Sequence, residues 1–91
     1  MRVATTIKDK LTAAFAPERL DIVDESHLHA GHAGARPEGE SHFRVEIVAV
    51  AFDGKSRVER QRMVYAALSE ELATEVHALA LRTLTPAEAG G

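Results

Sequence analysis

Three of the chain's five histidines, His27, His29 and His32, crowd into the stretch HLHAGH, and another, His77, stands in VHALAL near the C-terminus. Neutral imidazole is a ligand for iron, zinc and copper, so two of these rings brought together by a fold could hold one edge of a metal site. They would fill only half of its shell. The chain has no cysteine, which excludes disulfides and a thiolate nucleophile and leaves any sulfur ligand to a partner. Read by position alone, the three clustered histidines are ordinary solvated loop residues and His77 an ordinary strand-end residue. A second chemistry lies in Lys55, Arg57, Arg60 and Arg62, a basic run interrupted by Glu59. It loads a helix start with the charge opposite to the one the helix dipole favours, so that end is either merely solvated or approaches phosphates. Enzyme signatures are missing. No G-x-S-x-G elbow and no glycine-rich phosphate loop occurs, and Asp9, Asp24, Glu25 and Glu46 are scattered acids of a solvated surface.

Few elements are available to position these residues. Residues 56–72, SRVERQRMVYAALSEEL, carry the fullest helix signature. Ser56 and Glu59 are spaced for a capping box, Gly54 lets the chain turn in, and Val64, Ala67, Leu68 and Leu72 make an apolar stripe at helical spacing. A first helix is expected from a cap at Thr5 or Thr6, through Ile7, Leu11, Ala14 and Phe15, to Ala16, where Pro17 stops it. Residues 19–24 (RLDIVD) alternate as a half-buried strand does. Residues 41–51 (SHFRVEIVAVA) set Phe43, Val45, Ile47 and Ala49 on one face against His42, Arg44 and Glu46 on the other. VHALALRTL, 76–84, suits a third strand, and Thr85, Pro86 and Glu88 mark a helix start. Between the first two strands, residues 26–40 form a Gly- and Ala-rich loop broken by Pro37, of a length usually functional or partly disordered. The order helix, strand, strand, helix, strand, terminal helical stub implies an α+β fold with helices over one sheet face.

Ninety-one residues are expected to make a single domain, 1–91, with one core. A net charge of −3 disfavours a general nucleic-acid coat but leaves room for a local basic patch. The N-terminal MRVATTIKDKL reads as neither a signal peptide nor a membrane span, so a cytoplasmic chain without membrane partners is expected.

Taken together, ESHFRVEI, FDGKSRVERQRMVYAALSEEL and VHALALRTLTP resemble the BolA family over nearly the whole chain. The resemblance implies a class II KH-like fold, a three-stranded mixed sheet backed by helices, although no Gly-x-x-Gly loop of the kind with which KH domains hold single strands stands between its helices. It also implies a non-enzymatic role beside a monothiol glutaredoxin. In such a pair the glutaredoxin's cysteine and glutathione bring sulfur to a shared [2Fe–2S] cluster used in iron–sulfur trafficking or iron sensing. The isolated chain is then a monomer without a cofactor. Carried over by position, the family's C-terminal histidine falls on His77, and the second ligand falls in the histidine loop, at His29, with His27 and His32 as rivals. This places the chain with the bacterial histidine-loop subgroup, and imidazole in place of thiolate raises a cluster's potential. The family is associated too with transcription regulation, morphology and stress responses, which makes DNA the alternative partner, met by Lys55, Arg57, Arg60 and Arg62. Gln61 stands where many relatives carry a histidine, so no role is carried over to it.

Overall fold

Val3, Ile7 and Leu11 recur at four-residue steps and all three are buried, the stripe that makes α1 (Arg2–Phe15) a core helix. The computed structural model describes residues 2–25 and 42–90. Helix α1 begins before the expected caps, so Thr5 and Thr6 lie inside it, and Ala14 is exposed. It ends as Pro17 requires: Ala16 takes a left-handed φ of 45° and its N–H still reaches the Thr12 carbonyl at 3.0 Å.

Strand β1 (Arg19–Asp24) pairs antiparallel with β2 (His42–Val48), and β2 pairs parallel with β3 (Ala78–Leu84), giving a three-stranded mixed sheet in the order β1-β2-β3. Phe43, Val45 and Ile47 all point to the face under the helices and are buried there, with Leu20, Ile22, Leu79 and Leu81 packed around them. The opposite face carries charge. Glu46 at its centre is bridged by Arg19 and, at 3.5 Å, by Arg82, and Arg44 bridges Glu25 at 3.0 Å. Period-two side-chain alternation is what allows one strand to serve a core on one side and ion pairs on the other. Strand β2 stops at Val48, earlier than the alternation suggested, because Val50–Phe52 wind into a 3₁₀ turn that leaves Val50 exposed and buries Phe52. Phe52 meets Phe15 with ring centroids 5.2 Å apart, docking that turn on the end of α1.

Parallel strands need a long crossover, and here it is helical. Gly54, at φ 76°, turns the chain into α2 (Arg57–Ala67), capped by Ser56. The Glu59 amide donates to Ser56 Oγ at 3.1 Å while the Ser56 amide donates to Glu59 Oε1 at 2.8 Å, so the capping box forms as its spacing implies. The single long helix expected over 56–72 is instead broken at Leu68 (φ −108°, ψ 18°), and α3 (Ser69–Thr74) continues in its place. Val64 and Leu68 are buried, but beyond the break Glu71 is turned inward and Leu72 is only half-buried. The reason is electrostatic: Glu71 Oε2 accepts from Lys10 Nζ of α1 at 2.6 Å. At the C-terminus the Thr85–Glu88 reciprocal bonds form at 2.8 and 3.2 Å, yet residues 86–90 make turns in place of the expected helical stub.

Candidate functional site

His77 lies one residue before β3, in a turn, and its side chain is exposed. Two backbone bonds fix that turn. The Glu71 carbonyl accepts from the Glu75 amide at 2.9 Å and from the Val76 amide at 2.8 Å, and Val76 is buried. Because Glu71 is itself tied to Lys10, the residue next to His77 is held to both α3 and α1, while the imidazole stays outside.

The parallel register sets His42 opposite Ala78, so the first residue of β2 arrives beside the turn that bears His77. Their ring centroids are 6.2 Å apart with the planes tilted by 33°. His42 is half-buried. The Glu25 amide donates to the His42 carbonyl at 2.8 Å, which extends the β1–β2 ladder by one rung. Glu25 and His42 are therefore joined feet of the connection 26–41, and one of them touches His77. The expected loop 26–40 and its candidate ligands His27, His29 and His32 lie outside the described residues. Among the described residues no group of three or more His, Cys, Asp or Glu converges as a metal shell.

The basic run occupies the other end of the sheet. Arg60 departs from the expectation of a phosphate-facing cation. Its guanidinium grips Glu88 at 2.6 and 3.2 Å, reaches the Thr83 carbonyl at 3.2 Å and the Lys55 carbonyl at 3.0 Å, and its side chain is only 11% exposed. That grip, with the Thr85 amide, holds the Glu88 carboxyl well below the usual range, at about 2. The buried geometry of a bidentate arginine is structural here. Lys55, Arg57 and Arg62 are exposed and form what remains of the patch. Thr83, whose carbonyl Arg60 reaches, is six residues beyond His77, so at about 3.3 Å per residue of strand roughly 20 Å of chain separates His77 from the Arg60 contact.

A cleft of about 370 Å³ between α1 and β1 is lined by Ala4, Thr5, Lys8, Leu20, Asp21 and Ile22. It contains neither histidine, and its lining brings no convergent set of titratable groups to a bound molecule.

Comparison with known proteins agrees with this architecture. A family profile described as BolA-like protein matches residues 11–88. The DNA-binding transcriptional regulator BolA of Escherichia coli is 48% identical over 85 residues, covering 93% of this chain and 77% of the relative. Among solved structures, the BolA domain of SufE1 from Arabidopsis thaliana superposes with a TM-score of 0.84 at 42% identity, covering 93% of each chain. BolA1 from Mus musculus does so with a TM-score of 0.79 at 41% identity, covering 96% of this chain and 68% of that one. The chain belongs to the BolA family.

In this BolA-like chain the residue that sequence reasoning missed is His42. Its parity put it correctly on the outer face of the second strand beside Arg44 and Glu46, where it read as surface. The signal available was the mixed sheet itself: a third strand parallel to the second brings the first residues of both to the same end. Glu71 was missed as well, because an acid within SEEL reads as solvated until a lysine from a distant helix is known to face it.

Proposed function

We propose that this BolA-like chain is a non-enzymatic partner of a monothiol glutaredoxin, and that the two share a [2Fe–2S] cluster to which His77 gives an imidazole. One observation carries the reading: His77 is exposed in the turn before β3, against the foot of the connection that contains His27, His29 and His32. The donor chemistry fits a shared group. The chain offers imidazoles and no thiolate, so sulfur has to come from the glutaredoxin cysteine and glutathione. When bound, such a cluster supplies reversible one-electron chemistry at a potential raised by imidazole ligation. This chain's part is to hold the His77 ring outside a fixed turn and to bring a second imidazole from the connection, His29 by position in the family, with His27 and His32 as rivals. That pattern corresponds to the histidine-loop subgroup, and the role is iron–sulfur trafficking or iron sensing in the cytoplasm.

The test is anaerobic co-purification with a monothiol glutaredoxin and glutathione. Sulfur-to-iron charge-transfer absorption is expected only when both are present, and His77→Ala is expected to lose it or bleach rapidly. A His77→Ala complex with the spectrum and lifetime of the wild type refutes the assignment.

A second reading, a DNA-binding regulator, is favoured by exposed Lys55, Arg57 and Arg62 on one helix start and by the name of the Escherichia coli relative. Binding to duplex DNA then falls steeply with salt, and each of these cations changed to Gln lowers the slope of log K against log salt by about one. Slopes unchanged by all three substitutions exclude this patch as the contact.

A further inference from the structure

We propose that His42 and His77 together form a two-imidazole site for a single nitrogen-preferring divalent cation of the first transition row, zinc or copper, on the free chain. This goes against the expectation that the isolated chain carries no metal. It also differs from the shared cluster in needing neither a glutaredoxin nor glutathione.

His42 opens β2 and His77 precedes β3, and the parallel register that pairs His42 with Ala78 fixes their separation through the sheet. The sheet side is held by the ladder bond from Glu25 to His42, and the turn side by the two bonds onto the Glu71 carbonyl. The rings thus approach from two rigid supports, the condition under which a small metal site keeps its geometry. Two imidazoles on one tetrahedral ion, with metal–nitrogen bonds of about 2.0–2.1 Å, place their ring centroids roughly 5 Å apart, widening to somewhat over 6 Å as the angle at the metal opens. The observed 6.2 Å lies at the open end of that span, and the exposed His77 side chain is on the solvent side of its turn. Two neutral nitrogen donors select zinc, copper or nickel over magnesium or calcium, which take oxygen. The described residues bring no third donor to the pair, and the exposure of His77 leaves room for water on the ion. One consequence rests on the glutaredoxin reading: an ion on this pair occupies the imidazole the cluster needs, so divalent metal and cluster exclude each other at this end of the sheet.

The experiment uses the full chain with His27, His29 and His32 all changed to alanine, so that only the two rings in question remain. Zn²⁺ alone is titrated at pH 7.5, followed calorimetrically and by the ring-nitrogen resonances of the two histidines. The expected result is one Zn²⁺ per chain, with a nitrogen of each ring shifting together to the same endpoint. His42→Gln and His77→Gln in that background each weaken binding at least tenfold, with backbone spectra otherwise unchanged. A His42 ring that does not move at Zn²⁺ saturation, binding within twofold in His42→Gln, or no binding at all overturns the proposal. The ring readout needs no further substitution and is independent of any effect of His42→Gln on folding. Since no glutaredoxin is present, failure here leaves the cluster reading standing, and failure of the cluster reading leaves this site standing.

Discussion

Glu71 shows how one residue can belong to both stability and site. It is 3% exposed, its Oε2 is paired with Lys10, and its Oε1 has no hydrogen-bond partner among the described residues. The same bond raises the pKa of Lys10, opposed by desolvation and helped by the charges of Glu71 and Glu70. Removing only the cation strands a buried carboxylate, which costs more than removing the pair. Lys10→Met is therefore expected to lower the urea midpoint, and Lys10→Met with Glu71→Met to recover much of that loss. A double variant no more stable than Lys10→Met shows that the carboxylate is needed for more than its lysine. Because the Glu71 carbonyl also fixes the turn before His77, the double variant tests whether the side-chain pair or the backbone bonds keep that turn in place.

At the scale of elements, two contacts fasten pieces that would otherwise be loose connections. Phe52 is fully buried in the 3₁₀ turn against Phe15, and Phe52→Ala is expected to cost about 3–5 kcal/mol in denaturant unfolding, the range for a large ring removed from a core. The C-terminal segment is fastened by Arg60 and Glu88. Glu88 is depressed to about 2 in the folded chain, against an unfolded value near 4.3. A depressed carboxyl stabilises fully above the unfolded value and loses its contribution as the pH falls through the folded one. The difference in melting temperature between wild type and Glu88→Gln is thus expected to be constant above about pH 5, to shrink between about pH 4.3 and 2, and to vanish below. A difference that persists at pH 2 assigns the clasp to geometry and not to charge.

For the molecule as a whole, the separation of the two chemical ends matters most. With roughly 20 Å of strand between them, His77→Ala is expected to abolish the cluster signal while leaving the salt dependence of any DNA binding as it was, and glutamine at Lys55, Arg57 and Arg62 to do the reverse. Loss of both properties in either variant indicates that the two partners compete for one surface. Among the described residues no helix is long and apolar enough to cross a membrane.

Much of this was legible in the chain itself. Parity placed Phe43, Val45 and Ile47 in the core, the Ser56–Glu59 spacing announced the start of α2, Pro17 ended α1, and the motif blocks identified the family. Each is a local or periodic property: a capping box closes within one turn, and a strand's alternation is set by its own pleat. Tertiary structure alone decided the break at Leu68, the burial of Glu71, the inward turn of Arg60 and the meeting of His42 with His77. All four involve partners brought together by packing, so their energies depend on which strands pair, in what direction and register, and on which helix faces which. Two imidazoles separated by the whole helical crossover become neighbours because β3 runs parallel to β2, a choice that burying both apolar faces under the same helices makes for the entire chain at once.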